Sequence, residues 1–408
     1  MMRKLSYLLL GLILLAAGCA PTYNTEEEVI QESDETQEDQ RMIVPANSLE
    51  DDYYRTILPF QPGAARGLVS NQIYNRYDIN ELEQGLTRHA TEVFDPEDHL
   101  FQEGQYVSRE LLYTWLDRGA SEEEIDDMLE DNEELSRSDV QRGLNPPLGV
   151  DVDDDEVTTE EQLQAEENNP RILSHILEHN FLVREENGED NRVELNGVAI
   201  AIALRSEYGY SVADGPSYTT TIGDDRLMEF GQETADTVLQ RLRNLEGLQD
   251  VPILLTLYKE NDRGAMVPGN FLAKTVVEPN DMQTGEWESV DEKYVLFPSN
   301  EADEDHHEHS EMMAEFTREV EEYFPNYTGV IGKGFYVDDT LNELSINIPI
   351  EFHSKQEVIG FTQHLSTIIM DQFPAHFDVE ITLESPSQQE SVLFRKAGEE
   401  EPTYHIYQ

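Results

Sequence analysis

The chain has 408 residues and a strongly acidic composition, with 86 Asp and Glu against 27 Lys and Arg and a formal net charge of −59 at pH 7. Such a charge repels phosphate backbones, so we expect no nucleic-acid partner. The acids are spread along the whole length, which favours a solvated surface suited to a saline or alkaline medium. The run from Asp151 to Asp155 lacks the glycine and the distant glutamate of an EF-hand loop, so it matches a calcium site poorly.

The N-terminus has the pattern of a bacterial lipoprotein leader. A short basic start precedes an apolar run at 8–15, and small residues at 16–18 lead to Cys19. The run is too short to span a membrane and is typical of a secretory signal peptide. A cysteine directly after small residues resembles a lipobox, in which the thiol accepts a diacylglyceryl group. We therefore predict a signal peptide at 1–18 and lipidation at Cys19.

Lipidation at Cys19 would decide both location and partners. Its acyl chains would hold the mature chain on the extracellular face of the cytoplasmic membrane. A diacylglyceryl transferase and the lipoprotein signal peptidase would act on the chain during maturation. Cys19 is the only cysteine, so the mature chain would form no internal disulfide. The alternative of an ordinary signal peptide followed by a chance cysteine stays open.

Residues 19–50 are predicted to form an acidic, flexible tether. The stretch 20–48 is polar and almost free of aromatic residues. It offers too little apolar surface to stabilise a fold. A coil of about 30 residues reaches roughly 30 Å on average, enough to lift a domain off the bilayer.

The next region, 51–142, is predicted to be mainly helical. Apolar residues at helical spacing indicate a helix within 71–90, with Asp78 as its cap. Further helices are expected over 108–118 and 121–134.

These two helices have recognisable starts, and a loop is expected after them. Ser108 opens the first, while Ser121 and Glu124 form a capping box at the second. Residues 143–169 contain Pro146, Pro147 and many acids. We predict an exposed acidic loop there, before a mixed C-terminal part.

The C-terminal part is predicted to contain two α/β units, 170–298 and 299–400, each with the order strand, helix, strand, strand. The predicted elements are 196–204, 225–244, 251–260 and 270–277 in the first unit, and 343–352, 354–372, 377–385 and 391–397 in the second. Each helix carries an apolar stripe that would cover one face of a sheet, which predicts an α+β fold. Because this order is common, duplication and coincidence both stay open.

Several long blocks resemble the CamS family of bacterial lipoproteins. They are YYRTILPFQPGAARGLV (53–69), NRYDINELEQGL (75–86), FDPEDHLFQEGQY (94–106), NPRILSHILEHNFL (169–182), VPGNFLAKT (267–275), EKYVLFPS (292–299) and YFPNYTGVIGKGFY (323–336). The matches are collinear and cover most of 53–385. The resemblance implies a Gram-positive envelope lipoprotein of the sex pheromone precursor type.

In that family the pheromone is a hydrophobic peptide cut from the signal sequence just before the lipidated cysteine. The matching positions here are Leu12, Ile13, Leu14, Leu15, Ala16, Ala17 and Gly18. The resemblance thus implies LILLAAG as the peptide. A plain signal peptide with no signalling role is the alternative. The resemblance does not assign an activity to the folded part.

One motif bears on enzyme activity. His175, Glu178 and His179 match H-x-x-E-H, the inverzincin pattern. On a helix that begins near Asn169 and Pro170, the two histidines would share a face and hold zinc while Glu178 polarises a water. Apolar residues of the same segment form the opposite face, so the three side chains would project into water. We expect neither enzyme activity nor a cofactor, and keep a zinc-dependent hydrolase as the less favoured alternative.

A second histidine cluster, His306 to His309, lies among carboxylates in 301–310. Imidazole and carboxylate groups together bind zinc or nickel loosely. The run precedes a helix predicted over 310–324 and is more typical of a solvated loop. No metal site is predicted there.

Three hypotheses for function remain. The favoured one is a lipid-anchored, non-enzymatic surface lipoprotein whose leader yields a signalling peptide. The others are the zinc hydrolase and an extracellular ligand-binding module that uses a cleft between the two C-terminal units. The ligand of the folded part is not indicated by the sequence.

Overall fold

The computed structural model describes residues 27–31, 40–44, 53–131, 140–152, 154, 156–184, 192–213, 215–323, 329–351 and 354–408. Cys19 and the segment Leu12 to Gly18 lie outside the described residues. Among the residues that are described, no helix has the length and apolar character needed to cross a membrane.

Helices and strands alternate along the described chain. The helices are α1 (Val69–Gln72), α2 (Arg76–Ala90), α3 (Arg109–Leu116), α4 (Glu122–Asp131), α5 (Thr159–Asn168), α6 (Asp224–Arg243), α7 (Asn300–Asp305), α8 (His307–Tyr323) and α9 (Lys355–Gln372). The strands are β1 (Glu27–Gln31), β2 (Gln40–Val44), β3 (Arg55–Thr56), β4 (Leu100–Glu103), β5 (Leu173–Arg184), β6 (Arg192–Leu204), β7 (Glu207–Tyr210), β8 (Tyr218–Thr221), β9 (Ile253–Lys259), β10 (Asn270–Val277), β11 (Glu288–Ser289), β12 (Glu292–Phe297), β13 (Ile331–Val337), β14 (Thr340–Pro349), β15 (Asp378–Glu384), β16 (Gln389–Arg395) and β17 (Thr403–Ile406). The chain is therefore α+β, as the sequence predicts.

The first sheet has the strand order β11-β10-β9-β6-β5-β4-β3. Its central strand β6 is buried without interruption over 197–204, because helices cover both faces. The even-numbered side chains of this stretch pack with α3 and α6. The alanines Ala199, Ala201 and Ala203 face the α2 side, where small side chains leave room for the helix.

Gly85 brings α2 close to this face. A Cβ at Gly85 would lie 2.3 Å from the Cε2 atom of Phe271 on β10, a distance that real side chains do not tolerate. The glycine therefore permits direct contact between the helix backbone and an aromatic ring. The helix is fixed against the sheet at this point.

The second sheet has the order β12-β13-β14-β15-β16-β17. Helices α8 and α9 cover one face, and their apolar residues share a core with the sheet. Strand β15 alternates between buried and exposed residues, as expected of a strand covered on one side. Ile381 and Leu383 face the core, whereas Glu380 and Glu384 face solvent.

The predicted strand, helix, strand, strand order is present in both sheets. In β6-α6-β9-β10 the first two strands pair in parallel and the last two antiparallel. The set β14-α9-β15-β16 pairs in the same way. A common origin by duplication stays a prediction. Strand β12, which we placed within 170–298, pairs with β13 in the second sheet.

Two expectations about irregular segments were wrong. Residues 159–168, expected in the loop 143–169, form α5, which begins with a capping box between Thr158 and Glu161. Only Ala165 of this helix is buried, so the sequence has no apolar stripe from which the helix could be predicted. Strands β1 and β2 lie within the expected tether 19–50, where they pair antiparallel, and β1 also pairs in parallel with β6. The few β-branched and apolar residues at 29–30 and 42–44 favour strands locally.

The mainly helical region 51–142 also contributes strands. Strand β4 pairs antiparallel with β5, and β3 pairs in parallel with β4. The helix starts at Ser108 and Ser121 are confirmed by hydrogen bonds from Leu111 N and Glu124 N to the serine hydroxyls.

Asp78, by contrast, does not cap α2. The N-cap residue is Asn75. Asp78 is buried and accepts hydrogen bonds from the Tyr258 hydroxyl at 2.7 Å and the Gly269 N–H at 2.7 Å. It therefore ties α2 to β9 and to the start of β10.

Candidate binding cavity under the first sheet

A cavity of about 830 Å³ lies between α2 and the β4–β5 end of the first sheet. The segment 63–69, which precedes and enters α1, forms a third wall. Pockets of roughly 300–1,000 Å³ are typical of small-molecule sites. The cavity is therefore large enough for a small organic ligand.

The H-x-x-E-H motif lies in the wall of this cavity, on strand β5 and not on a helix. Four residues along a strand span about 13 Å, so His175 and His179 cannot bind one metal ion together. His175 pairs with Ala203 and His179 with Ala199, which places both histidines on the α2 side. The helix predicted for this motif is therefore wrong, and the less favoured alternative of one zinc ion held by both histidines does not fit the strand.

Glu178 lies on the opposite face of β5, where its carboxylate accepts hydrogen bonds from backbone N–H groups. Its carboxylate accepts N–H groups from Gln105 at 2.9 Å, Tyr106 at 3.1 Å and Val107 at 2.7 Å. Burial raises the pKa of Glu178, and these N–H donors oppose that shift. The carboxylate thus positions the chain that leads into α3.

Gly104 permits this arrangement. A Cβ at Gly104 would lie 2.5 Å from the Cβ of Glu178. The Gly104 N–H also donates to the Glu178 carbonyl at 3.0 Å. Backbone and side chain of Glu178 together hold this part of the wall.

The two histidines present neutral imidazoles to the cavity. Burial lowers the pKa of His175 to about 4 and that of His179 to about 3. His179 Nδ1 lies 3.4 Å from the Thr87 hydroxyl, and its ring meets Phe101 edge-on at 4.9 Å between centroids. His175 is only 3% exposed, and its Nδ1 has no hydrogen-bond partner among the described residues.

Charged groups line the outer part of the cavity. Arg66 Nε lies 3.9 Å from Glu103 Oε1, and Glu103 Oε2 accepts the Gly63 N–H at 2.5 Å. Glu83, on α2, also lines the cavity. Burial and the charge of Glu103 raise the pKa of Glu83, while Arg66 opposes the shift.

Arg88 connects the cavity to the second sheet. Its guanidinium donates to Glu81 at 2.8 Å and to Glu292 of β12 at 2.8 Å. Burial alone would raise the pKa of Glu292, but the hydrogen bonds and charges of His89 and Arg88 outweigh it and hold the pKa at about 2. Tyr294 of β12 also donates a hydrogen bond to Glu81.

The second histidine cluster does not converge on a site. His306 follows α7 and stacks on Tyr336 at 4.1 Å between centroids, and His309 Nδ1 lies 2.8 Å from the hydroxyl of the same tyrosine. His307 lies 3.3 Å from Glu311 on the exposed surface of α8. Within the described ranges, no group of three or more His, Cys, Asp or Glu residues has a metal-binding arrangement.

The cavity does not occupy the cleft expected between the two C-terminal units. Its walls come from β5 and from 53–107, the region predicted to be mainly helical. Glu83 and Thr87 on α2 and Glu103 at the end of β4 belong to no motif, because single polar residues on the surface of a helix or strand look alike in sequence. His175, Leu177 and His179 share one face of β5, but β5 is buried on both faces and shows no alternation that would have marked them in sequence.

Fold and site define an α+β protein with two large sheets, a two-stranded sheet of β7 and β8, and a cavity against the first sheet. A family model described as CamS sex pheromone cAM373 precursor matches residues 60–401, so the chain belongs to the CamS family. The resemblance found in the sequence blocks is thereby confirmed. No curated protein matches the chain.

Two solved structures resemble this one. The C-terminal domain of the sex pheromone staph-cAM373 precursor from Staphylococcus aureus is 26% identical, with a TM-score of 0.68 over 83% of this chain and 99% of that one. A sex pheromone precursor from Lactobacillus salivarius is 24% identical, with a TM-score of 0.76 over 89% of this chain and 98% of that one. The second likeness concerns the fold alone.

Proposed function

We propose that this CamS-family chain is a lipid-anchored envelope lipoprotein whose folded part binds a small extracellular ligand. The observation that carries the binding role is the cavity of about 830 Å³, whose volume is within the range of small-molecule sites. Its wall combines apolar side chains with a few polar groups, among them the Thr87 hydroxyl and the imidazole of His179. The H-x-x-E-H motif gives no support to the alternative of a zinc-dependent hydrolase, because Glu178 is engaged by backbone N–H groups.

The binding role is tested by blocking the cavity. Thr87 on α2 bonds to the carbonyl four residues earlier at 3.0 Å, and Thr237 on α6 does the same at 3.2 Å outside the cavity. Thr87→Phe would fill the cavity, and Thr237→Phe is the matched control. The full chain, purified in detergent, is exposed to a low-molecular-weight extract of bacterial envelopes, and retained compounds are identified by mass spectrometry.

We expect the wild type and Thr237→Phe to retain the same compounds and Thr87→Phe to lose them. If all three proteins retain the same compounds equally, or if none retains any, then the proposal that this cavity binds a ligand is wrong.

The anchor is proposed from the lipobox pattern at Cys19, which family membership supports. Cys19→Ala should release the chain from the membrane fraction, because no acyl acceptor remains. Intact-mass analysis of the wild type should find an acylated Cys19 as the first residue. An unmodified thiol or a retained leader would contradict the anchor.

A second function, the release of a pheromone from the leader, is favoured by the position of Leu12 to Gly18 directly before Cys19. The heptapeptide has no charged side chain, so it can partition into membranes and enter an apolar receptor pocket. A synthetic LILLAAG peptide should induce a mating response in plasmid-bearing cells at micromolar dose. A reordered peptide of equal composition is the control, and an equal response to both would argue against a signal.

A further inference from the structure

The proton of the His179 imidazole is placed by a neighbour on α2. The Thr87 hydroxyl donates to the Glu83 carbonyl at 3.0 Å, so its single proton is already used. His179 Nδ1 lies 3.4 Å from the same hydroxyl and must therefore be the donor to it. Because burial lowers the pKa of His179 to about 3, the ring is neutral at neutral pH and carries one N–H only. His179 Nε2 is therefore an acceptor.

This acceptor is open to the cavity. His179 is 5% exposed and lies in the cavity wall. Its Nε2 has no hydrogen-bond partner among the described residues, yet it is not sealed from solvent as His175 Nδ1 is. A ligand in the cavity can therefore reach Nε2, and a donor placed there meets a lone pair that the protein itself leaves unused.

A second hydroxyl on the same helix extends this pattern. Thr91, at the C-terminal end of α2, lines the cavity one turn beyond Thr87 and donates to the Arg88 carbonyl at 2.7 Å. Its proton is also used within the helix, which leaves only lone pairs for a ligand. Thr87, Thr91 and His179 thus present uncharged acceptors to the cavity, and all of their protons are used. These three side chains form the acceptor wall.

The charges around the acceptor wall favour a neutral ligand. Arg88 is held by Glu81 and Glu292, and Arg66 is 56% exposed at 3.9 Å from Glu103, so neither arginine is a buried partner for a ligand acid. An anion would also meet the field of a net charge of −59. A cation against uncharged acceptors would give up hydration without meeting a counter-charge there, whereas a neutral hydroxyl does not have this cost.

We propose that the acceptor wall binds the hydroxyl groups of a neutral mono- or disaccharide. The inference rests on the proposed binding function and names its ligand class. Sugars are neutral small molecules rich in hydroxyl donors, and their C–H faces pack on apolar side chains such as Val69 and Phe101, which also line the cavity. A cavity of about 830 Å³ accommodates a disaccharide.

The test compares sugars with and without hydroxyl donors. Cellobiose and diacetylchitobiose are neutral disaccharides, and each is paired with its fully O-methylated form, which has no hydroxyl. Binding to the full chain, in a detergent without a sugar headgroup, is measured by titration calorimetry at neutral pH. We expect at least one disaccharide to bind and its methylated form to bind at least about tenfold more weakly, because the bonds to the acceptor wall are lost. Equal binding within a pair, or no binding of either disaccharide at millimolar concentration, overturns the proposal.

Two pairs of variants assign the binding to the acceptor wall. Thr87→Val keeps the shape of the side chain, removes the hydroxyl and should weaken the sugar by about tenfold. Thr237→Val on α6, whose hydroxyl also donates to the carbonyl four residues earlier, makes the same change outside the cavity and should leave binding unchanged. His179→Phe should also weaken binding by about tenfold, whereas His179→Gln, whose amide oxygen replaces the acceptor Nε2, should keep the affinity within about threefold.

Each pair can contradict the proposal. Equal affinity in Thr87→Val and Thr237→Val would mean that the hydroxyl on α2 accepts nothing from the sugar. Equal losses in His179→Phe and His179→Gln, with circular dichroism spectra that match the wild type, would mean that the imidazole acts by its shape and not as an acceptor. Either result overturns the proposal.

The outcomes also separate this inference from the binding function itself. If neither disaccharide binds but Thr87→Phe loses the compounds retained from the envelope extract, the sugar proposal fails and the binding function stands. If Thr87→Phe retains those compounds as the wild type does, the binding function fails as well.

Discussion

The two sheets share an order of elements but differ in how they are covered. The first sheet is packed by α2 on one face and by α3 and α6 on the other, so β6 is buried throughout 197–204. The second sheet is covered by α8 and α9 on one face, and β15 alternates between buried and exposed. Both sheets contain the strand, helix, strand, strand unit, but only the first has a second covering helix, α2. The cavity therefore depends on α2, which forms the wall opposite β5.

In each of these units a buried arginine donates hydrogen bonds to backbone carbonyls at or after the C-terminal end of the helix. Arg243 ends α6 and donates to the carbonyls of Leu248 at 2.6 Å and Val251 at 2.7 Å. Arg395 lies on β16 and donates to the carbonyls of Phe373 at 2.8 Å and, more weakly, Ile369 at 3.3 Å. The same task is performed from two different elements.

The largest expected effect comes from removing these arginines. Arg243→Met and Arg395→Met should each lower the free energy of unfolding by about 3 kcal/mol, because several buried carbonyls lose their donor. Urea denaturation followed by circular dichroism measures the change. Arg318→Met, at a position whose side chain is 69% exposed, is the control and should shift stability by under about 0.5 kcal/mol.

This pair also tests how far the two sheets depend on each other. A single transition in both variants would indicate one cooperative unit. A variant with two separated transitions would show that its own sheet unfolds independently.

A smaller loss of stability should show that the first sheet is covered by helices on both faces and the second on one face only. Ala201→Leu on β6 adds volume under α2, where Ala201 is fully buried, and should destabilise by about 1–3 kcal/mol. Thr382→Leu on β15 also enlarges a side chain, by a smaller volume, on the half-exposed face of the second sheet. That change should stay within about 0.5 kcal/mol. Equal losses in thermal denaturation would mean that the second sheet is as tightly enclosed as the first.

A further effect concerns the contact between the sheets and depends on pH. The pKa of Glu292 is about 2 in the folded chain, against an ordinary value of 4.5. A depressed carboxylate pKa stabilises the fold above the unfolded value, and this contribution is lost as the pH falls from about 4.5 to about 2. Glu292→Gln should therefore flatten the acid dependence of stability in this window.

Unfolding midpoints at several pH values between 2 and 5 measure that dependence. Glu315→Gln on α8, whose side chain is 57% exposed, serves as the control and should keep the wild-type profile. An unchanged profile in Glu292→Gln would show that the contact of Arg88 with Glu292 does not contribute to acid stability.

Local patterns predicted most of the elements outside the cavity. The apolar stripes of α6 and α9 and the alternation in β15 lie where the sequence indicates them. The capping residues Ser108 and Ser121 also perform the predicted role. These features depend on neighbours within one or two turns, so sequence alone reveals them.

The cavity wall was predicted less well, for a physical reason. Apolar pairs at Ile172-Leu173 and Ile176-Leu177 are spaced as on a helix, yet β5 is a strand buried on both faces. A strand of this kind has no alternation to reveal it, because each face meets a different partner. On this strand His175 and Glu178 lie on opposite faces, whereas a helix would have brought them to one side.

The sequence by itself determined the α+β class and the lipobox pattern before Cys19, since both follow from local composition and spacing. The family follows from the resemblance of long sequence blocks to CamS. Only the tertiary structure decided that α2 covers β5 and that Glu83 and His175 line one cavity. Those side chains are 92 residues apart in the chain and meet through packing. Burial then sets their charge states, which no short stretch of sequence contains.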